Sequence, residues 1–428
     1  MQTCSPRSCG PTSHRIAPAR NRPDRSSHTR SLAGAGVTLR EIKTRLRAVL
    51  FQVHWFVGLV AGLVLVAMAL TGAAMSFEDE ILRALNPGIV TVEAAGRTAL
   101  TPDGLVARLA EARPGARVTA VTVPGTSGES AQVRLAPEPG RPGRGETLRL
   151  DPYDGRILGE ARGEAAFALV LRLHRWLALP GGPDGPGRQI TGAAAFGLIV
   201  LSLSGLYLRW PASRARDWRV WLKPALGRRG RPLYWSLHAV VGTWVLVLYL
   251  VMALTGLWWS YGWYRAGATM LLTGRAPAAE ARPPRDEAGR AGPVPALDPA
   301  FAAFRAAAGP YAWASVSVPR NPAGTVRIRS LAADAPHPRA RDEWRIRPDG
   351  RIEGRTLYAA EPLGERLVTA MLDLHQGRWF GMAGTVAFLL AALAMPLFAV
   401  TGLLLYLGRR RSRRRIARAP AVPAAASR

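Results

Sequence analysis

Four long apolar segments, at 49–76, 187–209, 235–261 and 381–407, constrain this chain more than any other feature. A run of roughly 20 apolar residues crosses the hydrocarbon core of a bilayer, where only a helix or a closed barrel satisfies the backbone. The expected fold class is therefore a mainly α-helical integral membrane protein with four transmembrane helices. The first span is too long for a cleaved secretory signal and has no small-residue cleavage site before Glu78-Asp79-Glu80, so it reads as an uncleaved signal anchor.

The formal net charge of +28 invites a nucleic-acid reading, but the placement of the charges opposes it. Arg40, Lys43, Arg45 and Arg47 precede span one; Arg209, Arg214, Arg216, Arg219, Lys223, Arg228, Arg229 and Arg231 fill the loop between spans two and three. Arg409, Arg410, Arg411, Arg413, Arg414 and Arg415 follow span four. Basic residues beside spans stay cytoplasmic, so all three clusters fall on one side, with both termini inside. The expected partner of this charge is membrane lipid, and no nucleic acid. Cys4 and Cys9, the only cysteines, lie in the N-terminal tail, which leaves no disulfide framework or thiolate metal site in the exported parts.

The polar stretches divide as a disordered basic tail (1–44), an exported module (77–173), a basic cytoplasmic loop (210–233), a second exported module (262–374) and a basic tail (408–428). In the first module, 101–113 reads as a helix, 117–123 and 131–135 alternate as strands, and 146–159 reads as a hairpin around Asp154-Gly155. An amphipathic segment, 165–173, then ends at His174. The second module repeats this order: strands at 314–318 and 325–329, an Asp349-Gly350 hairpin at 343–354, and an amphipathic segment at 363–374 ending at His375. The chain thus reads as two tandem repeats of span, exported α+β module, amphipathic helix and span, related by a pseudo-twofold axis along the membrane normal.

Four of the seven histidines occupy corresponding positions: His54 with His238, and His174 with His375. His54 and His238 sit about one turn inside the cytoplasmic ends of spans one and three, and His174 and His375 precede spans two and four on the exported side. Each of the first two lies eighteen residues, five helical turns, before a Thr-Gly glycine, Gly72 or Gly256, and so shares a face with it; Gly256 reads as close packing between helices. Ionisable groups inside a membrane mark function. Two facing imidazoles can supply the axial ligands of a b-type haem, and covalent attachment is excluded because no Cys-x-x-Cys-His occurs. Gly58, Gly62 and Gly242 would open a slot for a porphyrin. Proton relay or metal transport would call for acidic groups in mid-span, and the spans carry none. His337, in an Ala-Pro-His-Pro loop, reads as a surface residue, and His14 and His28 as tail residues. No phosphate loop, dinucleotide fingerprint or zinc motif occurs in the cytoplasmic segments, so an electron donor would be external, a quinol or a cytoplasmic reductase.

Leu237-His-Ala-Val-Val-Gly242 with Leu254-Thr-Gly256, Leu173-His-Arg-Trp176, Leu374-His-Gln-Gly377 and Asp151-Pro-Tyr-Asp-Gly-Arg-Ile-Leu-Gly159 resemble the PepSY-associated transmembrane proteins of bacterial inner membranes, often labelled iron-regulated. The resemblance covers about residues 45–410. It implies that the exported modules are PepSY-like, and that His54, His174, His238 and His375 ligate two b-type haems. It also implies a reductase delivering electrons to ferric iron held by a siderophore in the periplasm. The loop from His174 to Gly187 is four residues longer than that from His375 to Gly384, a departure from the internal symmetry. Arg172, Arg175 and Arg378, near the exported histidines, could attract an anionic chelate. PepSY modules are elsewhere associated with peptidase inhibition, so the competing expectation is a haem-free membrane anchor that binds or regulates a peptidase or other envelope partner.

Overall fold

The computed structural model describes residues 38–137, 145–210, 218–276, 296–319, 321 and 324–418. Cys4, Cys9, His14, His28, Arg214, Arg216, the linker beyond residue 276 and the end of the C-terminal tail lie outside them. The chain divides into two units, Met1–Leu46 and Arg47–Arg428. In the first, Thr38 and Glu41 form a capping box: the Glu41 carboxylate accepts from the Thr38 N–H at 3.0 Å, and Thr38 Oγ1 from the Glu41 N–H at 3.3 Å. This box starts α1 (Leu39–Ala74).

Next come α2 (Glu78–Leu85), α3 (Pro102–Ala112), β1 (Val118–Pro124), β2 (Ala131–Leu135), β3 (Thr147–Leu150), α4 (Glu164–Trp176) and α5 (Pro186–Arg209). The second half runs α6 (Trp218–Leu222), α7 (Arg231–Ser260), α8 (Gly262–Thr273), α9 (Asp298–Ala307), β4 (Tyr311–Ser317), β5 (Val326–Ala332), β6 (Arg341–Ile346) and β7 (Ile352–Thr356). It closes with α10 (Leu363–Thr369), α11 (Met371–Gln376), α12 (Gly381–Leu393) and α13 (Met395–Arg418).

Among the described residues, four helical stretches are long and apolar enough to cross a membrane: Leu39–Ala74, Pro186–Arg209, Arg231–Ser260 and Arg378–Ser412. Their outward residues, such as Phe56, Leu63, Val247 and Leu390, are exposed as a lipid-facing surface requires. The chain is a multi-pass membrane protein. The last stretch breaks at Ala394 between α12 and α13, because Pro396 brings no N–H to the helical ladder. There the Leu397 N–H bonds to Ala394 O, one residue closer than a regular α-helix allows.

The strands of both expected modules meet among the described residues. They join in one seven-stranded antiparallel sheet of order β3-β2-β1-β4-β5-β6-β7. The seam is the β1–β4 pair, Ala120 opposite Ser317 through Pro124 opposite Trp313. Across it, Thr122 Oγ1 and Ser315 Oγ bond at 2.9 Å. The expected first hairpin loses its second strand: Ile157 makes a single bridge to Leu150, and Gly159, at φ +89°, turns the chain away. In the second half β7 continues for five residues against β6.

Helices α3 and α9 cover one face of the sheet. Leu105, Leu109 and Phe304 are fully buried against Val121, Val133, Leu150, Val316, Ile328 and Ile346. Truncating a ring such as Phe304 to alanine costs about 3–5 kcal/mol in such a core. The two helices begin at a shared joint. The Asp103 carboxylate accepts from the Leu297 and Asp298 N–H groups at 2.9 and 3.0 Å, while Asp298 Oδ1 accepts from the Asp103 N–H at 3.0 Å. Each carboxylate thus meets the positive end of the other helix.

His337 is not a surface residue. Its side chain is 1% exposed in the turn between β5 and β6. Nδ1 lies 2.7 Å from Asp373 Oδ2, Nε2 lies 2.8 Å from the Tyr358 hydroxyl, and the ring packs on Trp379 with centroids 4.9 Å apart. The flanking prolines look like loop punctuation in the sequence, but here they lower the imidazole onto α11. Asp373 also accepts from the Arg339 N–H at 3.1 Å.

Candidate functional site: two facing histidine pairs

His54, His238, His174 and His375 meet as two pairs. His54 on α1 and His238 on α7 have ring centroids 6.2 Å apart with planes at 73°. His174 on α4 and His375 on α11 have centroids 6.1 Å apart with planes at 70°. The second pair lies toward the sheet and the first toward the opposite end. Gly72, which abuts His174, follows His54 by eighteen residues, or about 27 Å at the rise of a straight helix. The longer loop between α4 and α5 leaves the 6.1 Å spacing almost the same as that of the other pair.

Each imidazole is held by a hydroxyl from a membrane helix. His54 Nδ1 is 2.9 Å from Ser204 Oγ, His238 Nδ1 2.9 Å from Thr401 Oγ1, and His375 Nδ1 2.9 Å from Thr255 Oγ1. His174 Nδ1 donates to Met68 O at 2.8 Å and lies 3.2 Å from Thr71 Oγ1. A hydroxyl has one proton, and in every case it goes to the carbonyl four residues back: Ser204 to Val200, Thr401 to Leu397, Thr255 to Val251 and Thr71 to Ala67. With the hydroxyl proton so placed, a lone pair faces each Nδ1; His174 Nδ1, against the Met68 carbonyl, must donate, and the same tautomer in the other three rings would leave every Nε2 lone pair for a ligand. A metal-bound histidine has this same arrangement, with its far N–H fixed by an acceptor.

The glycine after each hydroxyl residue makes room for the ring. An added Cβ would stand 3.2 Å from His174 Cε1 at Gly72, 3.1 Å from His54 Cε1 at Gly205, 3.5 Å from His375 Cε1 at Gly256 and 3.6 Å from His238 Cε1 at Gly402. Gly256 thus seats a histidine from α11 instead of serving general helix packing. The Ser-Gly or Thr-Gly dipeptide recurs in all four spans. The sequence reading noticed its spacing and missed that the hydroxyl orients an imidazole from another helix. Of the three glycines expected to open a slot, Gly62 faces open space, while Gly58 and Gly242 meet Leu201 and Phe398 at ordinary contact distances.

One metal shared by two imidazoles needs two bonds of about 2 Å plus two ring radii, which places the centroids roughly 6 Å apart. Both pairs have that separation, and each supplies one nitrogen per ring. Among the described residues, no group of three or more His, Cys, Asp or Glu could hold a metal ion. The donor set is therefore two imidazoles per site. Such a donor set would suit a metal whose other positions a macrocycle fills, as in haem; His54 with His238 would hold one such group and His174 with His375 another.

Of the expected anion-attracting arginines, Arg172 is exposed on α4, whereas Arg378 Nη1 pairs with Asp79 Oδ2 at 3.2 Å. Arg175 lines a cavity with Arg188 and Arg265 beside the His174–His375 pair.

Comparison with curated proteins finds no match. The sequence model of one family, described as the PepSY-associated TM region, matches residues 51–409, the stretch that carries all four spans, all four paired histidines and the whole sheet. The chain belongs to the PepSY-associated TM region family.

Proposed function

We propose that the protein is a di-haem b electron carrier of the bacterial inner membrane. In this reading both termini are cytoplasmic, and electrons pass outward from a quinol or a cytoplasmic reductase. The acceptor is ferric iron bound by a siderophore in the periplasm. The observation that carries the reading is the pair of 6.2 and 6.1 Å histidine spacings, with the Nδ1 of every ring already satisfied.

His54 and His238 would hold the group nearer the cytoplasm, and His174 and His375 the one nearer the periplasm. When bound, haem supplies a one-electron ferric/ferrous couple that the protein positions and tunes. The chain contributes fixed imidazole orientation, through Ser204, Thr401, Thr255, Thr71 and Met68 O. It also contributes a dry interior between the two levels, where Leu65, Ala194, Val245, Tyr249, Ala391 and Met395 pack together. One electron delivered to a ferric chelate yields ferrous iron, which hard oxygen donors hold more weakly.

The test is an absorption spectrum of the detergent-purified protein from haem-replete cells. A Soret band with α and β bands that sharpen on dithionite is expected, at two haems per chain. His54→Ala and His375→Ala should each remove about half of it, from different sites. A featureless visible spectrum would overturn this reading and leave the haem-free anchor as the alternative.

A further inference from the structure

Among the described residues, helices α3 and α9 cover one face of the sheet, where Val121, Val133, Val316 and Ile328 are buried. Side chains alternate along a strand, so the residues between these point to the opposite face. The register aligns that face in rows that cross both halves of the chain. One row runs Arg149, Gln132, Thr122, Ser315, Arg329 and Glu343; the next carries Arg134, Ser317, Arg327 and Arg345. Arg134, Arg327, Arg329 and Arg345 are exposed, and the shorter Thr122 and Ser315 are half-buried between them at the seam.

The acid in these rows is Glu343, and it serves two arginines: Arg327, which it bonds, and Arg329, whose Nε lies 3.6 Å away. Arg345 stands directly opposite Arg327 across β5 and β6, and like charges so placed cost stability. Its neighbour on the other side is Gly354 of β7, which brings no side chain to meet it. Arg134 lies between Ala120 and Thr147. Neither Arg134 nor Arg345 has a carboxylate partner among the described residues, whereas Arg149 pairs with Glu164 at 3.0 Å. Four exposed arginines thus share one carboxylate, on a face that folding alone does not require to be basic.

Shape and chemistry narrow what such a face can hold. From β3 to β6 it spans five strand-to-strand steps, about 24 Å, on a flat surface. Sites for small molecules are concave and mostly apolar. Permanent protein interfaces have an apolar centre, and here the centre is Thr122, Ser315 and Gln132. A broad, polar, one-signed surface suits a weak encounter steered by charge. We infer that the open face of the sheet is a docking surface for the acidic face of a second, soluble protein, which it engages transiently through Arg134, Arg327, Arg329 and Arg345. The histidine pairs take no part in this docking, so it stands or falls apart from the haem reading.

The experiment uses the full chain in detergent, a photo-crosslinking residue in place of Thr122, and a fluorescent polyglutamate peptide as the acidic probe. Cross-linking yield against probe concentration reports affinity at this face alone, apart from the basic clusters beside the spans. The expected result at low ionic strength is saturable cross-linking that fades as salt shortens the screening length. Arg134→Gln, Arg329→Gln and Arg345→Gln combined should weaken it about tenfold, as three exposed charge pairs together would. Arg228→Gln, Arg229→Gln and Arg231→Gln combined, in the loop before α7, should leave it unchanged. The thermal midpoint of Arg345→Gln should hold or rise, because the opposed Arg327–Arg345 pair is relieved.

Competition identifies the class of partner. If heparin fragments or phosphatidylglycerol vesicles displace polyglutamate at lower charge concentration than an unlabelled polyglutamate does, the face belongs to a polysaccharide or a lipid, and the acidic-protein assignment falls. No cross-linking at position 122, or cross-linking that ignores the three arginines, overturns the docking surface itself. A lowered midpoint in Arg345→Gln with unchanged affinity would make the arginine structural and overturn it as well.

Discussion

Thr401 and His238 are 163 positions apart in sequence and share one hydrogen bond of 2.9 Å, from imidazole Nδ1–H to a hydroxyl whose own proton is committed to Leu397 O. Thr401→Val keeps the shape and removes the acceptor, so His238 loses its fixed tautomer and orientation. Loss of such an outer partner typically weakens metal binding about 10–100-fold. On the proposed haem reading, the expected outcome is selective loss of haem from the His54–His238 site with Thr401→Ser retaining it, measured by Soret absorbance per chain.

The four seating glycines predict an asymmetry. A Cβ at Gly72 or Gly205 would come within 3.2 or 3.1 Å of a histidine carbon, tighter than ordinary contact, whereas Gly256 and Gly402 leave 3.5 and 3.6 Å. Gly72→Ala and Gly205→Ala should therefore disturb His174 and His54 and reduce haem content. Gly256→Ala and Gly402→Ala should keep it, and should gain up to about 1 kcal/mol of helix stability each. Equal behaviour of all four in haem content and thermal unfolding would contradict the geometry.

His337 ties the β5–β6 turn to α11 through Asp373, both side chains at most 2% exposed. His337→Ala leaves a buried carboxyl with the Arg339 N–H as its remaining hydrogen-bond partner, along with an empty ring-sized space beside Trp379. The expected cost is about 3 kcal/mol, read as a lowered thermal midpoint in detergent. Because His375 lies two residues beyond Asp373, the loss of stability should be accompanied by weaker haem retention at the sheet-side site.

Glu78 opens α2 just past the first span, and burial pushes its carboxyl above the usual carboxylate range, with Asp79 adding to the shift and Arg378 opposing it. A carboxyl that binds its proton more tightly when folded loses stabilisation as pH rises from its ordinary unfolded value through the raised folded one. Glu78→Gln should therefore raise the thermal midpoint at neutral pH, with the gain shrinking below about pH 4. A gain that instead grew on acidification would reverse the assignment.

The spans and the four histidines were legible because each rests on a local signal: an apolar run of bilayer length, or a polar residue where none is cheap. The recurrence of His-x-x-x-Gly followed by Thr-Gly pointed to the pairing of His54 with His238. The roles of Ser204, Thr401, Thr255 and Thr71 were not legible, because a hydroxyl in a span bonds its own helix in most settings, and only the approach of a second helix gives it another use. His337 was misread for a related reason. Pro336 and Pro338 signal a turn, and nothing local says that the turn lies beneath Tyr358 and Trp379. The single sheet was hidden as well, because β1 and β4 join at their edges across almost 200 residues.

That seam limits how the molecule can move. Each half owns two spans, and a protein built from two such halves could rock them against each other as transporters do. Here the halves are sewn together by the five-residue β1–β4 register and by the reciprocal Asp103–Asp298 joint, so rocking would have to tear backbone hydrogen bonds. The seam therefore ties the helices that carry the two histidine pairs, 6.2 and 6.1 Å apart, to a single shared sheet.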